Sequence, residues 1–416
     1  MIPLSSPNIT QKEIDYVNEV LKSRHLALGP YLKKFENSFK KLIDAKFAIG
    51  VNSGTSALHL LLKSSGFKSG DDLITSSFTF ISSSNIAAFE DGRPLFIDIN
   101  PKDYNLDVEK LEYFLKNNKT DKIKAFVGVD IFGQPLNWDK IDDILKGSDI
   151  KIIEDSCEAL GAEYKNHKIG KKGIGGTFAF YPNKQITTGE GGIIVTDNPD
   201  VYELSKSMSN QGRNLNSQWL EHQRLGYNYR LDEMSAALGL AQMERLEWIL
   251  EQRDKKAKYY NNLFQNENRI VLPKINEYTT KMSWFVYVIR LDLKWIDKII
   301  NIPSWIRDME LPLKIKSDRY DEWGKNITKI KKVLNIFIDK LNKKGIQSKN
   351  YFTPVHLQPF YRKNWGYKLG DLPYTELISS LTIALPFFTG IKEIQQNTVY
   401  EKILDTLEEI EYESKK

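Results

Sequence analysis

Lys184 lies in a segment whose composition favours covalent chemistry at a lysine amine. Residues 176–192 read Gly-Thr-Phe-Ala-Phe-Tyr-Pro-Asn-Lys-Gln-Ile-Thr-Thr-Gly-Glu-Gly-Gly, so aromatic residues precede the lysine and glycines follow it. Glycines let the backbone pass close to a bound group. A partly desolvated ammonium loses its proton more readily, which leaves the neutral amine that attacks an aldehyde. Because most lysines are solvated surface charges, this interpretation depends on the neighbouring elements.

A carboxylate follows an apolar run at Lys151-Ile-Ile-Glu-Asp155. Ligands of open parallel sheets bind at the carboxyl ends of the strands, where Asp155 is expected. A carboxylate there can pair with a protonated pyridine nitrogen, and such a partner makes a pyridoxal ring an electron sink. The alternative is that Asp155 only caps the next helix. Cys157, the single cysteine, is interpreted as a small apolar residue rather than a nucleophile.

A second strand-to-helix turn has the composition of a phosphate cradle. The segment Asn52-Ser-Gly-Thr-Ser-Ala-Leu-His59 follows an apolar run and leads into leucines at helical spacing. Backbone N–H groups and hydroxyls at the positive end of a helix bind phosphate. An ordinary helix cap explains this segment equally well. The turn Leu225-Gly-Tyr-Asn-Tyr-Arg230 precedes a helix rich in small residues, which by itself indicates only close helix packing.

The elements that position these residues alternate between strands and helices. The short apolar, β-branched runs that we predict as strands are 47–51, 72–75, 94–98, 124–129, 151–154 and 192–196. Repeated strand-helix-strand units predict a mostly parallel sheet with helices on both faces. A capping box at Thr10-Gln-Lys-Glu13 starts the first helix, and a long helix is predicted from Asp232 to Tyr260.

Two domains are expected for a chain of 416 residues. We predict an α/β domain over residues 1–250 and a smaller α+β domain over residues 251–416. The stretch 294–326, rich in Trp, Pro and charged residues, has no readable motif.

The composition and net charge limit which partners and which cellular compartment we expect for this protein. A net charge of +5 is small for this length and is not gathered into a basic arm, so no nucleic acid is expected. No apolar run approaches the roughly 20 residues that cross a bilayer, and no secretory leader is recognised. One cysteine excludes an internal disulfide. We therefore expect a cytoplasmic protein without membrane or metal sites.

Together these segments resemble the DegT/DnrJ/EryC1/StrS family of nucleotide-sugar aminotransferases, and its perosamine-synthase-like members in particular. The resemblance covers nearly the whole chain, from Ile2-Pro-Leu-Ser5 to Leu385-Pro-Phe-Phe-Thr-Gly390, and is most specific at Phe180–Gly192. It implies the aspartate aminotransferase type of fold (fold type I), with the large sheet domain binding the cofactor. It also implies pyridoxal 5'-phosphate and a homodimer with shared active sites.

The resemblance also implies a role for each matching residue around the cofactor ring. Lys184 would carry the cofactor as a Schiff base and shuttle protons, and Asp155 would pair with the ring nitrogen. Phe78, in Ser77-Phe-Thr-Phe80, would stack on the pyridine ring. Glu158 would lie beside the phenolic oxygen, where the family has Gln, His or Glu.

The cofactor phosphate has its own expected ligands. By the same resemblance, Gly54, Thr55 and Ser56 would hold the phosphate, and Asn228 would reach the cofactor phosphate of the partner subunit. Many members have Ser five residues before the lysine as a further phosphate ligand, and this chain has Ala179 there. Relative to the usual small domain of the family, the stretch 294–326 looks like an insertion.

The implied reaction moves an amino group from L-glutamate to a nucleotide-linked keto-deoxysugar, for surface polysaccharide or a related glycoconjugate. Glu158 favours amination at carbon 4 of the sugar. The substrate candidates are Arg213, His222, Arg230 and His356, each of which could equally be a surface or packing residue. Two alternatives stay open: a pyridoxamine-dependent sugar dehydratase, whose family members have His in place of the lysine, and a catalytically silent scaffold.

Overall fold

The computed structural model describes residues 1–213 and 221–416. Within this part of the chain the helices are α1 (Gln11–Ser23), α2 (Pro30–Ile43), α3 (Gly54–Ser64), α4 (Ser82–Phe89), α5 (Val108–Asn117), α6 (Trp138–Leu145), α7 (Pro199–Ser209), α8 (Glu233–Met243), α9 (Leu246–Phe264), α10 (Leu293–Ile300), α11 (Ser304–Arg307), α12 (Tyr320–Lys343), α13 (Pro359–Trp365), α14 (Pro373–Ser379) and α15 (Glu393–Ser414). The strands are β1 (Phe47–Val51), β2 (Asp72–Ser76), β3 (Arg93–Ile97), β4 (Ile123–Val129), β5 (Lys151–Asp155), β6 (Glu163–Tyr164), β7 (His167–Lys168), β8 (Gly175–Ala179), β9 (Gly192–Thr196), β10 (Ile270–Val271), β11 (Thr279–Lys281), β12 (Tyr287–Leu291) and β13 (Thr382–Leu385).

The large sheet has seven strands in the order β1-β9-β8-β5-β4-β2-β3. The central pairs, β2 with β3, β2 with β4, β4 with β5 and β5 with β8, are parallel. Only β9 runs antiparallel to its neighbours β8 and β1 within this sheet. The strands are apolar and almost completely buried, as expected for a sheet covered on both faces. The predicted α/β architecture, with a mostly parallel sheet, is confirmed.

The N-terminal helix begins where the sequence predicts. Thr10 and Glu13 form the capping box of α1, and the Glu13 carboxylate also accepts hydrogen bonds from Gln242 and Arg245 at 2.7 Å each. These two partners lie at the end of α8 and just before α9. The same carboxylate therefore caps α1 and attaches it to the helices that close the large domain.

The long helix predicted from Asp232 to Tyr260 is instead two helices. The regular ladder ends at Met243, and the backbone N–H of Arg245 bonds to the carbonyl of Gln242, three residues back. This tighter turn separates α8 from α9. Apolar periodicity alone does not reveal the break because both helices bury apolar residues.

The C-terminal part packs helices on a small antiparallel sheet, β10-β12-β13. Its largest buried cluster runs from Ala257 to Ile410. Helix α9 spans the domain boundary predicted at residue 250, and β11 pairs with β6 of the large part. The division at 250 stays a prediction.

The stretch 294–326 contributes directly to this C-terminal core. Trp295, Ile306 and Trp323 are all buried there, and the Trp323 indole donates a hydrogen bond of 2.6 Å to the buried Glu376. The unusual composition of the stretch therefore reflects packing. In the described part of the chain, no helix is long and apolar enough to span a bilayer.

We expect Trp323→Ala to destabilise the protein by about 3–5 kcal/mol, because it empties a buried site and removes a partner from a buried carboxylate. Trp248→Ala is the matched control, since 45% of Trp248 is exposed, and it should cost less than about 1 kcal/mol. Thermal unfolding of both variants measures the difference. Equal unfolding temperatures would contradict a structural role for the 294–326 stretch.

Candidate active site

A cavity of about 810 Å³ opens at the carboxyl ends of the parallel strands. Val129, Asp155 and Ala179, the last residues of β4, β5 and β8, form part of its wall. The start of α3 and the loop before α4 form another part, and residues 350–355 of the C-terminal part close the opposite side. The cavity is therefore built by both halves of the chain.

The predicted phosphate cradle lies on this cavity at the start of α3. Ser53 caps the helix by accepting a hydrogen bond from the N–H of Ser56, and Gly54 and Thr55 line the cavity. The first N–H groups of a helix have no partner within the helix, so they are available to an anion. Ser56 differs from the expectation: it is buried, and its hydroxyl donates a hydrogen bond of 2.6 Å to the Asn52 side chain.

Gly54 leaves no room for a larger residue. A Cβ atom there would lie 2.7 Å from Cβ of Ala179 and 3.0 Å from Sγ of Cys157. Ala179 at the end of β8 and Cys157 just after β5 therefore pack closely against the start of α3. Burial raises the pKa of the Cys157 thiol well above its ordinary value, and the Asp155 carboxylate adds to the rise. The thiol is thus neutral, which agrees with a packing role.

Asp155 is held at the end of β5 by hydrogen bonds to its side chain and backbone. Ser83 Oγ donates to Oδ2 at 2.6 Å, and the Cys157 N–H donates to Oδ1 at 3.2 Å. The backbone N–H of Asp130, which follows β4, donates to the Asp155 carbonyl at 3.1 Å. Asp130 also accepts a hydrogen bond of 2.8 Å from the Ser156 hydroxyl. The position of the carboxylate at the cavity wall is therefore well defined.

Lys184 reaches into the same cavity from the loop between β8 and β9. Its Nζ lies 3.6 Å from Oε1 of Glu158 and 3.9 Å from the centre of the Phe285 ring. The face of an aromatic ring attracts a cation without accepting its proton. Burial raises the pKa of the Glu158 carboxyl above its ordinary value, and the Lys184 ammonium opposes the rise. Glu158 also accepts a hydrogen bond of 3.0 Å from the N–H of Phe132.

The structure places Phe80, and not Phe78, at the cavity. Phe78 is 1% exposed and packs against Tyr104, Phe132 and Phe352 in an aromatic cluster. Phe80 is 59% exposed and lines the cavity. Both aromatic residues lie in one short loop, Ser77-Phe-Thr-Phe80, and the backbone path decides which ring faces outward. The expectation for Phe78 is therefore corrected to Phe80.

Asn228 is on the surface of its own chain and not in the cavity wall. Its carbonyl accepts a hydrogen bond of 3.3 Å from the Asn52 side chain, and the N–H of Asn52 donates to the Tyr229 carbonyl at 3.0 Å. The backbone of this turn is therefore attached next to the phosphate cradle, while the Asn228 side chain stays exposed.

The substrate candidates lie away from the described wall of the cavity. The prediction for His356 is corrected, because this residue is 0% exposed and its imidazole is hydrogen-bonded to Ser77 and Glu376. The imidazole is therefore part of the core. Arg230 donates to the side chains of Asn210 and Gln211. Arg213 and His222 pair with each other as a backbone bridge near the surface. The geometry of a single chain therefore gives no substrate contact for any of these four residues.

Three further residues of the wall escaped the sequence-based prediction. Ser83 contacts Asp155, Phe285 contacts Lys184, and Tyr351 closes the cavity from the C-terminal part. A run of three serines at 82–84 was the one available signal for Ser83. No local pattern marks Phe285 or Tyr351, because each is brought to the site from a distant part of the chain.

The residues of this cavity fit pyridoxal phosphate. A helix start can take the phosphate, a strand-end carboxylate can take the ring nitrogen, and a lysine amine faces the space between them. The glycine at position 54 permits the close approach that the cradle needs. The fold and the site thus define a fold type I enzyme that depends on pyridoxal phosphate.

The family model described as the DegT/DnrJ/EryC1/StrS aminotransferase family matches residues 7–302 and 308–404, and the chain belongs to this family. The match is interrupted at residues 303–307, inside the 294–326 stretch, whose interpretation as an insertion stays a prediction. The protein is a pyridoxal-phosphate-dependent aminotransferase.

Curated relatives agree with the family assignment, and solved structures share the fold. The chain is 30% identical to the spore coat polysaccharide biosynthesis protein SpsC of Bacillus subtilis, over 97% of this chain and 96% of that protein. It is also 30% identical to GDP-perosamine synthase of Escherichia coli O157:H7, over 97% of each. Helicobacter pylori PseC, an aminotransferase involved in the biosynthesis of pseudoaminic acid, shares the fold with a TM-score of 0.82 at 24% identity, covering 98% of this chain and 99% of PseC.

The fold alone does not separate transamination from dehydration. GDP-4-keto-6-deoxy-D-mannose-3-dehydratase of E. coli also superimposes, with a TM-score of 0.79 at 24% identity over 97% of this chain and 98% of the dehydratase. The distinction must therefore come from the residues of the site.

We expect Phe80→Leu to weaken pyridoxal phosphate binding about 3- to 10-fold, because stacking of an aromatic ring is lost. Fold stability should change little, since Phe80 is exposed. Phe78→Leu should do the opposite, with a loss of about 1–3 kcal/mol of stability. Cofactor titration and thermal unfolding of both variants test this. The assignment of Phe80 fails if Phe80→Leu leaves cofactor affinity unchanged.

Proposed function

We propose that this aminotransferase moves an amino group from L-glutamate to the ketone of a nucleotide-linked keto-deoxysugar. The observation that carries the proposal is the convergence of Lys184, Asp155 and the start of α3 on one cavity. The identity to GDP-perosamine synthase and to a spore coat polysaccharide protein supports a nucleotide-sugar substrate and a role in polysaccharide biosynthesis. That relationship, together with Glu158, favours carbon 4 of the sugar.

Pyridoxal phosphate, when bound, supplies an aldehyde that captures amines and a ring that stabilises negative charge on the adjacent carbon. The residues of this chain provide the rest. The start of α3 would bind the phosphate, and the Asp155 carboxylate would pair with the protonated ring nitrogen. Phe80 would stack on the ring, and Glu158 lies on the side of the cavity next to Lys184.

Lys184 is the group that moves protons in this proposal. Once its amine is free, Nζ would take the proton from the α-carbon of the amino donor and pass it to the bound cofactor. In the second half of the reaction it would carry a proton from the cofactor to the sugar carbon. The Phe285 ring at 3.9 Å stabilises the ammonium form without removing its proton. Oε1 of Glu158, 3.6 Å from Nζ, borders the space that the amine can occupy.

We propose that the active unit is a homodimer. Among the described residues that line the cavity, Lys184 is the one cationic side chain. A sugar nucleotide carries a diphosphate, and the cofactor carries a phosphate of its own, so more donors are needed than one chain supplies to its own cavity. Asn228 is exposed beside the cradle, and Leu28 and Leu225 are exposed apolar residues. A second copy is the proposed source of the missing donors, with Asn228 reaching its cofactor phosphate and Arg213 or Arg230 near the nucleotide.

The dehydratase alternative is disfavoured by Lys184. Members of the family that act as dehydratases have His at this position, and the loop here presents an amine directly to the cavity. A catalytically silent scaffold would not need Lys184, Asp155 and a glycine cradle in one place. One free cysteine supports the proposal that the reaction takes place in the reducing cytoplasm.

We expect Lys184→Ala to lose the visible absorbance band of the lysine-bound cofactor and to lower transaminase activity at least about 100-fold. Lys184→Arg should behave in the same way, because a guanidinium keeps the charge but does not bind the aldehyde. Lys165→Ala is the control, since the Lys165 side chain is 56% exposed and pairs with Asp139. Activity retained in Lys184→Ala would rule out the proposed role.

The substrate is tested with L-glutamate and a panel of keto-deoxysugars linked to GDP, UDP or dTDP. We expect 2-oxoglutarate and an aminated nucleotide sugar, and fragmentation of the product in a mass spectrometer should place the amine at carbon 4. A protein that ignores every nucleotide sugar but aminates a small free ketone would contradict the substrate class. Amination at carbon 3 would contradict only the position.

A further inference from the structure

Both carboxylate oxygens of Asp155 are occupied by hydrogen-bond donors from this chain. Oδ1 accepts from the backbone N–H of Cys157, which comes from the same turn at 3.2 Å. Oδ2 accepts from the hydroxyl of Ser83, which comes from a different element, at 2.6 Å. Ser83 is therefore the one long-range side-chain donor to Asp155 among the described contacts.

Ser83 is fixed by its surroundings. It is the second residue of α4 and is 1% exposed, yet it lines the cavity together with Asp155. Its hydroxyl lies 3.4 Å from Thr79 Oγ1 and 3.4 Å from the Phe80 carbonyl, both longer contacts than the one to Asp155. The hydroxyl has a single proton, and the shortest contact shows that this proton is directed at the carboxylate.

The contact has the length of a charge-assisted hydrogen bond. Bonds from a hydroxyl to an ionised carboxylate measure about 2.5–2.7 Å and are roughly twice as strong as neutral ones. A donor to the charged form of an acid favours that form. A carboxylate that stays ionised is the one that leaves a shared proton on a pyridine nitrogen, where it makes the ring an electron sink.

We propose that Ser83 is a positioning residue for Asp155: its hydroxyl orients the carboxylate and keeps the shared proton on the ring nitrogen of the cofactor. The proposal rests on the role proposed for Asp155. It goes beyond that role because it assigns to a residue of α4 control over the protonation of the ring nitrogen.

The probe is pyridoxal phosphate labelled with ¹⁵N in the ring, loaded into the holoenzyme and observed by NMR. The ¹⁵N chemical shift distinguishes a protonated ring nitrogen from a neutral one. We expect wild type and Ser83→Thr, which keeps a hydroxyl, to show a protonated nitrogen. Ser83→Ala should move the shift toward the neutral value and raise the Kd for the cofactor about tenfold, the size expected for a bond to a charged group.

Two controls separate the possible failures. Asp155→Asn removes the carboxylate and should show a neutral nitrogen; if its nitrogen stays protonated, the role of Asp155 itself is wrong. Ser84→Ala removes a neighbouring hydroxyl of α4 that bonds to Tyr361 at 2.7 Å instead, and it should leave the ¹⁵N shift unchanged.

The proposal for Ser83 is overturned on its own if Asp155→Asn moves the ¹⁵N shift and Ser83→Ala does not. A lower unfolding temperature of Ser83→Ala with an unchanged ¹⁵N shift would mark a purely structural role and would also overturn it. If Ser83→Ala fails to fold, Ser83→Cys keeps nearly the same shape with a weaker donor. Its ¹⁵N shift must then lie between wild type and Asp155→Asn, and a wild-type shift contradicts the proposal.

Discussion

Burial of carboxyl groups at the ends of β4 and β5 is the constraint on which the rest of this site depends. Asp130, Glu154, Asp155 and Glu158 are all nearly inaccessible to solvent. A carboxylate taken out of water is costly unless hydrogen bonds or cations compensate for the loss. The compensation differs from group to group: Asp155 is bonded to Ser83, Glu158 lies beside Lys184, and Glu154 Oε2 accepts a hydrogen bond of 2.7 Å from the N–H of Lys172. Burial and the neighbouring Glu154 raise the pKa of Asp130 well above its ordinary value. The same bonds that compensate for burial also set the positions of the reactive groups.

The two halves of the chain meet at these groups. Arg253 on α9 is buried and donates to the carbonyls of Trp284 and Phe285 at 2.8 and 2.7 Å. The N–H of Phe285 in turn donates to the carbonyl of Phe132, whose own N–H holds Glu158. The ring above Lys184 is thus connected by backbone hydrogen bonds to the carboxylate beside Lys184. We therefore expect a change in the packing of the C-terminal part to alter the position of the Phe285 ring over Lys184 through these hydrogen bonds.

Ala179 shows how the phosphate cradle adapts to its neighbours. The family resemblance leads one to expect a serine hydroxyl at this position, and Ala179 does not provide one. The Cβ of Ala179 packs against Gly54, where an added Cβ would lie 2.7 Å away. Thr55, whose hydroxyl lies 2.7 Å from that of Ser82, and the N–H groups at the start of α3 remain on the cavity side. The cradle of this chain therefore depends on the helix start, and the exposed Asn228 beside it belongs to the surface proposed to meet a second copy.

The sequence by itself determined the α/β class, the order along the chain and the approximate bounds of most central strands, and the cap of α1. It also placed Asp155 at the end of a strand, Gly54 in the turn from a strand to a helix, and Lys184 in a loop between two strands. These follow from local periodicity and from turn residues, which act over a few positions. Only the tertiary structure decided that Phe80 rather than Phe78 faces the cavity and that His356 is buried. It also decided that residues 294–326 contribute to the C-terminal core, and that Ser83 contacts Asp155 while Phe285 contacts Lys184. Those outcomes depend on contacts between residues far apart in sequence, and no local pattern encodes which side chain meets which across such a distance.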